Sequence, residues 1–328
     1  MAVEDLALLE EANQQFQGFG LIRSANLAQT KKGDPFYNLS VSKGAKEIPV
    51  KVWSDQISGR EDEVKQVLQE GKIIYIEGDT STYQDQLQMT ARSFRPMQEN
   101  EVDLHEFLEM PPEPIESLQQ ELEQAIDQIV DPLLQDIVSS IYTRYKKPFS
   151  SYPAATKNHH SFVGGLLYHT VCMVRLGLDI AARYPAINKD FIIGGITLHD
   201  ASKVMEYTNH IAPQYSVPGE FIGHISMSSM LVDREVQRIL SERADNAKLT
   251  KLEQEAVYQL QHCILSHHGR LEWGSPVEPK TLEAHIIHLV DMIDSRVNMV
   301  ERGLKDAPEG EFTKVFPLGK LYKPMTDE

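Results

Sequence analysis

Thiols are scarce in this 328-residue chain: Cys172 and Cys263 are the two cysteines, each lies in an apolar stretch, and no CxxC spacing occurs. That excludes a disulfide framework and a thiolate metal cluster, and both thiols are expected to be buried and free. The opening residues, MAVEDLALLEE, lack the basic segment and apolar run of a secretion signal, and no unbroken apolar run approaches the roughly 18 residues of a membrane span. A cytoplasmic protein without a membrane partner is the expectation. Internal repeats and low-complexity tracts are also missing. Basic residues are absent from 98 to 143, where twelve acids stand without one Lys or Arg. Most of the net charge of −16 therefore belongs to that stretch, and overall acidity does not exclude a polyanionic partner elsewhere on the chain.

The remainder has the balance of a globular protein, 41% hydrophobic and 24% charged, with length enough for two domains and a sizeable core. Residues 1–97 read as a small all-β domain. Short β-branched and aromatic runs alternate with turn signals: GFGLIRSANL, KKGDP, FYNLSVS, KGAKE, IPVKVW. In FYNLSVS, Tyr37, Leu39 and Val41 share one face. A polar helical stretch, REDEVKQVLQEG, then runs to Gly71, and two more strands follow, KIIYIEGD and QLQMTARSF. Three strands, a helix and two strands is the order of an OB-fold barrel, a common binder of single-stranded nucleic acid. Candidate contacts for such a strand are Lys31 and Lys32 in the first loop, Phe36 and Trp53 on strands, and Arg92 and Arg95 on the last strand. Aromatic faces stack bases and the cations follow the backbone, with little sequence preference.

Residues 98–157 read as an acidic linker with prolines at 111, 112 and 114, followed by a connecting helix whose apolar spacing runs through Leu118, Leu122, Ile126, Ile129, Leu133 and Ile137. Residues 158–305 are helical almost throughout, an all-α bundle, and 306–328 form a short mixed tail. Seven polar residues of the bundle sit on or beside apolar helical stripes: His169, His199, Asp200, His224, His267, His268 and Asp291. Buried imidazoles and carboxylates need partners, and metal ions satisfy a set of this size most economically. The reading is a metal-dependent hydrolase binding one or two ions. Nitrogen and oxygen donors without thiolate suit manganese, iron, cobalt, nickel or zinc better than magnesium. Of the other histidines, His159 and His160 are placed to support the set, to touch a substrate or to serve as ordinary loop residues, whereas His262, His285 and His288 read as structural.

The order H…HD…D, supplied by His169, His199-Asp200 and Asp291, resembles the HD-domain superfamily of phosphohydrolases. The resemblance implies that Asp200 bridges two ions, one completed by His169, His199 and Asp291 and the other by His224, His267 and His268. It also implies that Lys203, in HDASK, lies near the substrate phosphate and joins Asp200 as a catalytic residue. With the β domain in front, the phrases NHHSFVGGLLYHT, TLHDASK, SHHGRLEWGSP and VDMIDSR resemble the YhaM family of 3′-to-5′ exoribonucleases. That likeness implies a manganese-dependent enzyme removing nucleotides from the 3′ end of single-stranded RNA, and of single-stranded DNA as a further substrate. It further implies 5′-mononucleotide products, a cytoplasmic place in RNA turnover or 3′-end trimming, and a homo-oligomer. Two other readings compete. A phosphodiesterase acting on a small nucleotide or cyclic dinucleotide is disfavoured because GRLEWGSP lacks the Gly-Tyr-Pro element of that class. A non-catalytic single-strand-binding protein has no need of unpaired charge in its core.

Overall fold

The computed structural model describes the chain apart from residues 1, 45, 84–85, 99–100, 156–159, 245–247, 306 and 327–328; His159 lies outside the described residues. Two compact units divide it, Met1–Met110 and Pro111–Glu328. Residues 98–110 thus belong with the first unit and 111–157 with the second.

In the first unit five strands close into a barrel: β1 (Gln15–Gln29), β2 (Pro35–Lys43), β3 (Lys46–Val52), β4 (Ile73–Tyr83) and β5 (Gln86–Pro96), in the order β1-β2-β3-β5-β4. β3 and β5 pair in parallel, Val50 opposite Met89, and the other pairs are antiparallel. Alternation sends Tyr37, Leu39 and Val41 inward to meet Phe16, Ile48, Ile76 and Met89. Each such aliphatic residue contributes about 1.5–3 kcal/mol of burial. Between β3 and β4 lie a single turn, α1 (Ser54–Ile57), and α2 (Glu61–Val67). α2 forms because Val64, Val67 and Leu68 fall on one buried face while Glu61, Asp62 and Glu63 favour its N-terminal dipole. This is the topology of an OB-fold.

The second unit is helical: α3 (Ile115–Ile126), α4 (Pro132–Phe149), α5 (Gly165–Arg183), α6 (Lys189–His199), α7 (Lys203–Glu206), α8 (Val217–Ile222), α9 (His224–Glu242), α10 (Lys251–Leu265) and α11 (Leu282–Leu304). A hairpin of β6 (Phe312–Val315) and β7 (Gly319–Tyr322) ends it, with Val315 seated against Gly303 of α11. The apolar spacing predicts one connecting helix through 118–137, but the chain breaks it into α3 and α4. Asp131 accepts from the amides of Leu133 and Leu134, Pro132 occupies the first helical turn, and the Asp190 carboxylate takes the amides of Val130 and Asp131. Several acids of the acidic stretch are bound within their own unit. Glu113 and Glu121 grip Arg175, Glu123 meets Lys146, and Asp136 meets Arg238.

α6 is the axis of this unit, buried from Asp190 to His199 and packed against α4, α5, α10 and α11. Gly195 permits the closest approach, since a β-carbon there would lie 2.5 Å from Ile287 and 2.9 Å from Cys263. By length and composition α5 reaches the threshold for a membrane span, although no unbroken apolar run marks it in the sequence. Its Leu166, Leu167, Val171, Met173 and Val174 are buried in the core shared with α3, α6 and α11. Cys263 is buried and Cys172 half-buried, both free, and burial pushes each thiol up to about 12.

Candidate metal centre

Helix ends deliver most of the polar set to one place. His199 is the last residue of α6 and Asp200 its cap, so the two neighbours turn into the same pocket. His224 opens α9, where the Glu206 carboxylate accepts from its backbone amide and its Nδ1, both at 2.9 Å. His267 and His268 lie just beyond α10, past the Ser266 cap, rather than inside a helix. Gly269 then turns the chain at φ +80°, and any side chain there would strike the His288 ring at 2.2 Å. His169 comes from the middle of α5 and Asp291 from α11. All seven residues converge.

Asp200 is the junction. Its Oδ2 lies 3.2 Å from His199 Nε2 and accepts from Lys203 Nζ at 2.6 Å, while Oδ1 lies 3.3 Å from His224 Nε2 and 3.8 Å from His267 Nε2. His169 Nε2 is 3.4 Å from Asp291 Oδ1. Ligand atoms of His169, His199 and Asp200 lie within 4.8 Å of one another, and so do those of His224, His267 and His268.

The tautomers explain why one nitrogen of each ring faces inward. Nδ1 of His199, His267 and His268 is held by the carbonyls of Ile196, Ile264 and Trp273, at 2.6, 2.7 and 3.0 Å. A carbonyl only accepts, so each of these Nδ1 atoms donates and the Nε2 lone pair is left for the centre. His169 and His224 follow the same scheme with carboxylates, Asp294 at 2.6 Å and Glu206 at 2.9 Å. Three buried atoms, His199 Nε2, Asp200 Oδ1 and His224 Nε2, have no hydrogen-bond partner among the described residues. His199 Nε2 and His224 Nε2 approach the Asp200 oxygens to 3.2 and 3.3 Å with lone pair facing lone pair, which a cation between them would relieve. Five oriented nitrogens and two carboxylates around unsatisfied buried atoms fit a borderline or hard divalent cation, since such ions take lone pairs and fixed anions together.

Charge is distributed accordingly. Burial lowers the imidazoles of His267 and His268, assisted by neighbouring histidines, which keeps both neutral. Burial alone would raise Asp200 and Asp291, but the surrounding imidazoles, with Lys203 beside Asp200, hold both well below the usual carboxylate range. His169 behaves differently: burial opposes its charge, yet Asp291 and Asp294 raise it to about 10, so without an ion its Nε2 carries a proton that a bound cation would have to displace. The Lys203 ammonium is likewise disfavoured by burial and raised by Asp200. A cavity of about 240 Å³ opens onto Asp200, Lys203, Asp291 and His268.

Two supporting carboxylates are not evident in the sequence as part of this set. Asp294 receives both His169 Nδ1 and His160 Nε2, at 2.6 and 2.7 Å. Its i+3 spacing from Asp291, which puts both on one helix face, is a usable signal. Glu206 carries no comparable pattern, because its partner His224 is brought to it by α8.

On the barrel, Phe36 and Trp53 stack at 5.1 Å, and Lys51 Nζ lies 5.4 Å from the Trp53 ring and 5.5 Å from Tyr83. The β-strand alternation does not single out Lys51 or Tyr83. Lys31 and Lys32 are exposed in the β1–β2 turn. The two arginines are engaged: Arg92 meets Asp79 at 3.3 Å, and Arg95 makes a bidentate pair with Glu101 at 2.8 Å while lying 4.7 Å from the Tyr75 ring. A phosphate at either has to displace a carboxylate.

No protein-family model matches the chain. Among solved structures, the second OB-fold domain of replication protein A from Methanococcus maripaludis covers 32% of this chain and 99% of its own, at 14% identity and a TM-score of 0.22. The 3′-5′ exoribonuclease YhaM of Bacillus licheniformis is 36% identical over 322 residues, 97% of this chain and 98% of the relative. That of Bacillus subtilis is 36% identical over 321 residues, 97% of each. With identity sustained across both units, this chain belongs to the YhaM family of 3′-5′ exoribonucleases.

Proposed function

We propose that the protein is a metal-dependent 3′-to-5′ exoribonuclease that shortens single-stranded RNA, and single-stranded DNA as a second substrate, to 5′-mononucleotides in RNA turnover or 3′-end trimming. The observation that carries the reading is the shared Asp200 carboxylate, flanked by two groups of inward Nε2 atoms with Lys203 2.6 Å away. His169, His199, Asp200 and Asp291 would hold one ion. Asp200, His224, His267 and His268 would hold the other. Divalent ions so held supply an activated water and stabilise charge on the entering and leaving oxygens of a phosphodiester. Manganese suits the donor set, and iron, cobalt, nickel and zinc share its preference for imidazole and carboxylate.

The protein's own groups do the rest. The Nδ1 tethers prevent ring rotation, so the nitrogens need no reorganisation when charge develops. Lys203, buried at the cavity wall, presents a fixed positive charge that offsets negative charge growing on phosphoryl oxygens. In the barrel, Phe36, Trp53 and Tyr83 offer base-stacking faces. Lys31, Lys32 and Lys51 supply the backbone-tracking charge. Arg92 and Arg95 contribute only after releasing their carboxylates.

The test is digestion of single-stranded RNA by chelator-treated protein across a panel of divalent ions. Manganese is expected to restore shortening, and Asp200→Ala to remain inactive in every metal with RNA affinity retained. Cleavage of a cyclic dinucleotide with RNA left intact supports the small-nucleotide reading instead. RNA binding without cleavage in any metal supports a binding protein.

A further inference from the structure

The segment after the histidine pair, residues 269–276, is tied to the metal centre through His268 and His288. Gly269 and Gly274 turn it at φ +80° and +84°, and Leu271–Trp273 form a single 3-10 turn between them. The Trp273 carbonyl receives His268 Nδ1 at 3.0 Å, so the loop's backbone is pinned to a residue of the centre. His288, whose Nδ1 donates to the His267 carbonyl at 2.8 Å, lies 6.0 Å from the Trp273 ring. The Trp273 backbone is thus tied to His268, and its indole lies beside a ring that is itself tied to His267. Yet Trp273 stays 43% exposed, and it lines the same cavity of about 240 Å³ as Asp200 and Asp291. Arg270 lies over the ring at 5.0 Å and pairs with Glu272.

We infer that this cavity seats the 3′-terminal nucleoside of the strand, with the Trp273 indole as the platform on which its base stacks. The inference rests on the exonuclease reading and adds how the chain end is gripped. A large aromatic ring still 43% exposed, with Arg270 over one face, offers its remaining surface beside a phosphodiester-cleaving centre to a planar base, and indole stacking tolerates every base because each has a π-face. The cavity is smaller than the roughly 300–1,000 Å³ of sites enclosing whole small molecules, so it takes one nucleoside rather than two stacked ones. Outside Lys203 and the proposed metal-holding residues, its walls read few base edges: Met292 is apolar, the Ser295 hydroxyl donates to the Met292 carbonyl, and His288 Nδ1 is committed to His267. Selection at this position is therefore for an unstacked, unpaired base and not for its identity. A paired 3′ end cannot lie on the indole, which makes single-strandedness a requirement of the centre itself.

The test pairs two substrates and two variants. For a strand with an ordinary 3′ base, Trp273→Ala is expected to lower kcat/KM by roughly 5- to 150-fold, the range that stacking one base on an aromatic is worth, and Trp273→Phe to retain most of it. For a strand ending in an abasic nucleotide, the gap between wild type and Trp273→Ala is expected to close to within about twofold. Independently of turnover, adenosine 5′-monophosphate is expected to quench the emission of Trp273 in the Trp53→Phe protein, where it is the only tryptophan left. Equal losses on both strands, or no quenching, overturn the platform. If wild type shortens neither strand, the exonuclease reading fails, while quenching still decides whether the indole receives a base.

Discussion

Replacing Asp200 with Ala removes a carboxylate that four groups face at once, and the consequence for stability can be worked from its surroundings. Asp200 is 2% exposed and Lys203 7%, with 2.6 Å between carboxylate and ammonium. Breaking a buried pair by removing one partner costs about 3–5 kcal/mol, because the other charge stays behind without compensation. Burial disfavours the Lys203 ammonium and the Asp200 carboxylate does most to offset that, so most of that penalty is expected here. In chelator at neutral pH, denaturant unfolding of Asp200→Ala should show a midpoint loss equivalent to about 3–5 kcal/mol with an unchanged slope. Adding Lys203→Met removes the stranded charge, and the double variant should recover to within about 1 kcal/mol of wild type. Metal titration of the same single variant should show both ion sites weakened, since one carboxylate serves each group. An Asp200→Ala protein as stable as wild type, or a double variant no better than the single, refutes the buried pair. Loss of only one ion site refutes the shared junction.

Asp294→Asn withdraws the acceptor that orients both His160 and His169, and is expected to weaken metal binding about 10- to 100-fold by calorimetry with the fold intact; unchanged affinity removes Asp294 from the centre. Phe36→Ala and Trp53→Ala should each raise KM on long single strands by roughly 5- to 150-fold and leave kcat alone, and an unaltered KM would take this face out of strand binding. Arg243 and the Thr250 cap hold Glu253 down to about 2, so its contribution is complete above about pH 4.5 and lost as pH falls toward 2. After allowance for solvent screening, Glu253→Gln should lower stability by about 1 kcal/mol at neutral pH and by only a small fraction of that at pH 2; equal losses at both would contradict the pairing.

Much of the arrangement can be read from the residues because it depends on local periodicity. The barrel strands announce themselves by alternation, as Tyr37, Leu39 and Val41 do. Polar residues such as His169 and His199 stand out on apolar helical stripes because burying them demands a partner. What the pattern hides is decided by tertiary packing or by a competing local signal. The apolar spacing of 118–137 runs straight through the break between α3 and α4, and only the Asp131-Pro132 pair marks it. Helical spacing likewise overruns α10, whereas His267 and His268 sit in the turn that Gly269 completes. Glu206 acquires its place through the α8 excursion that returns the chain to His224, which no spacing rule encodes. Arg92 and Arg95 look like free cations in sequence, but barrel register brings Asp79 to the first and Glu101 reaches the second.

Direction of attack tests the central claim most directly. Single-stranded RNA labelled at its 5′ end, incubated with the protein and manganese, should yield a descending ladder of labelled fragments. The same strand labelled in its 3′-terminal nucleotide should release the label at once as a mononucleotide, and chelator should stop both. Release of a labelled mononucleotide from the 5′ end, or undiminished shortening in chelator, would contradict the account.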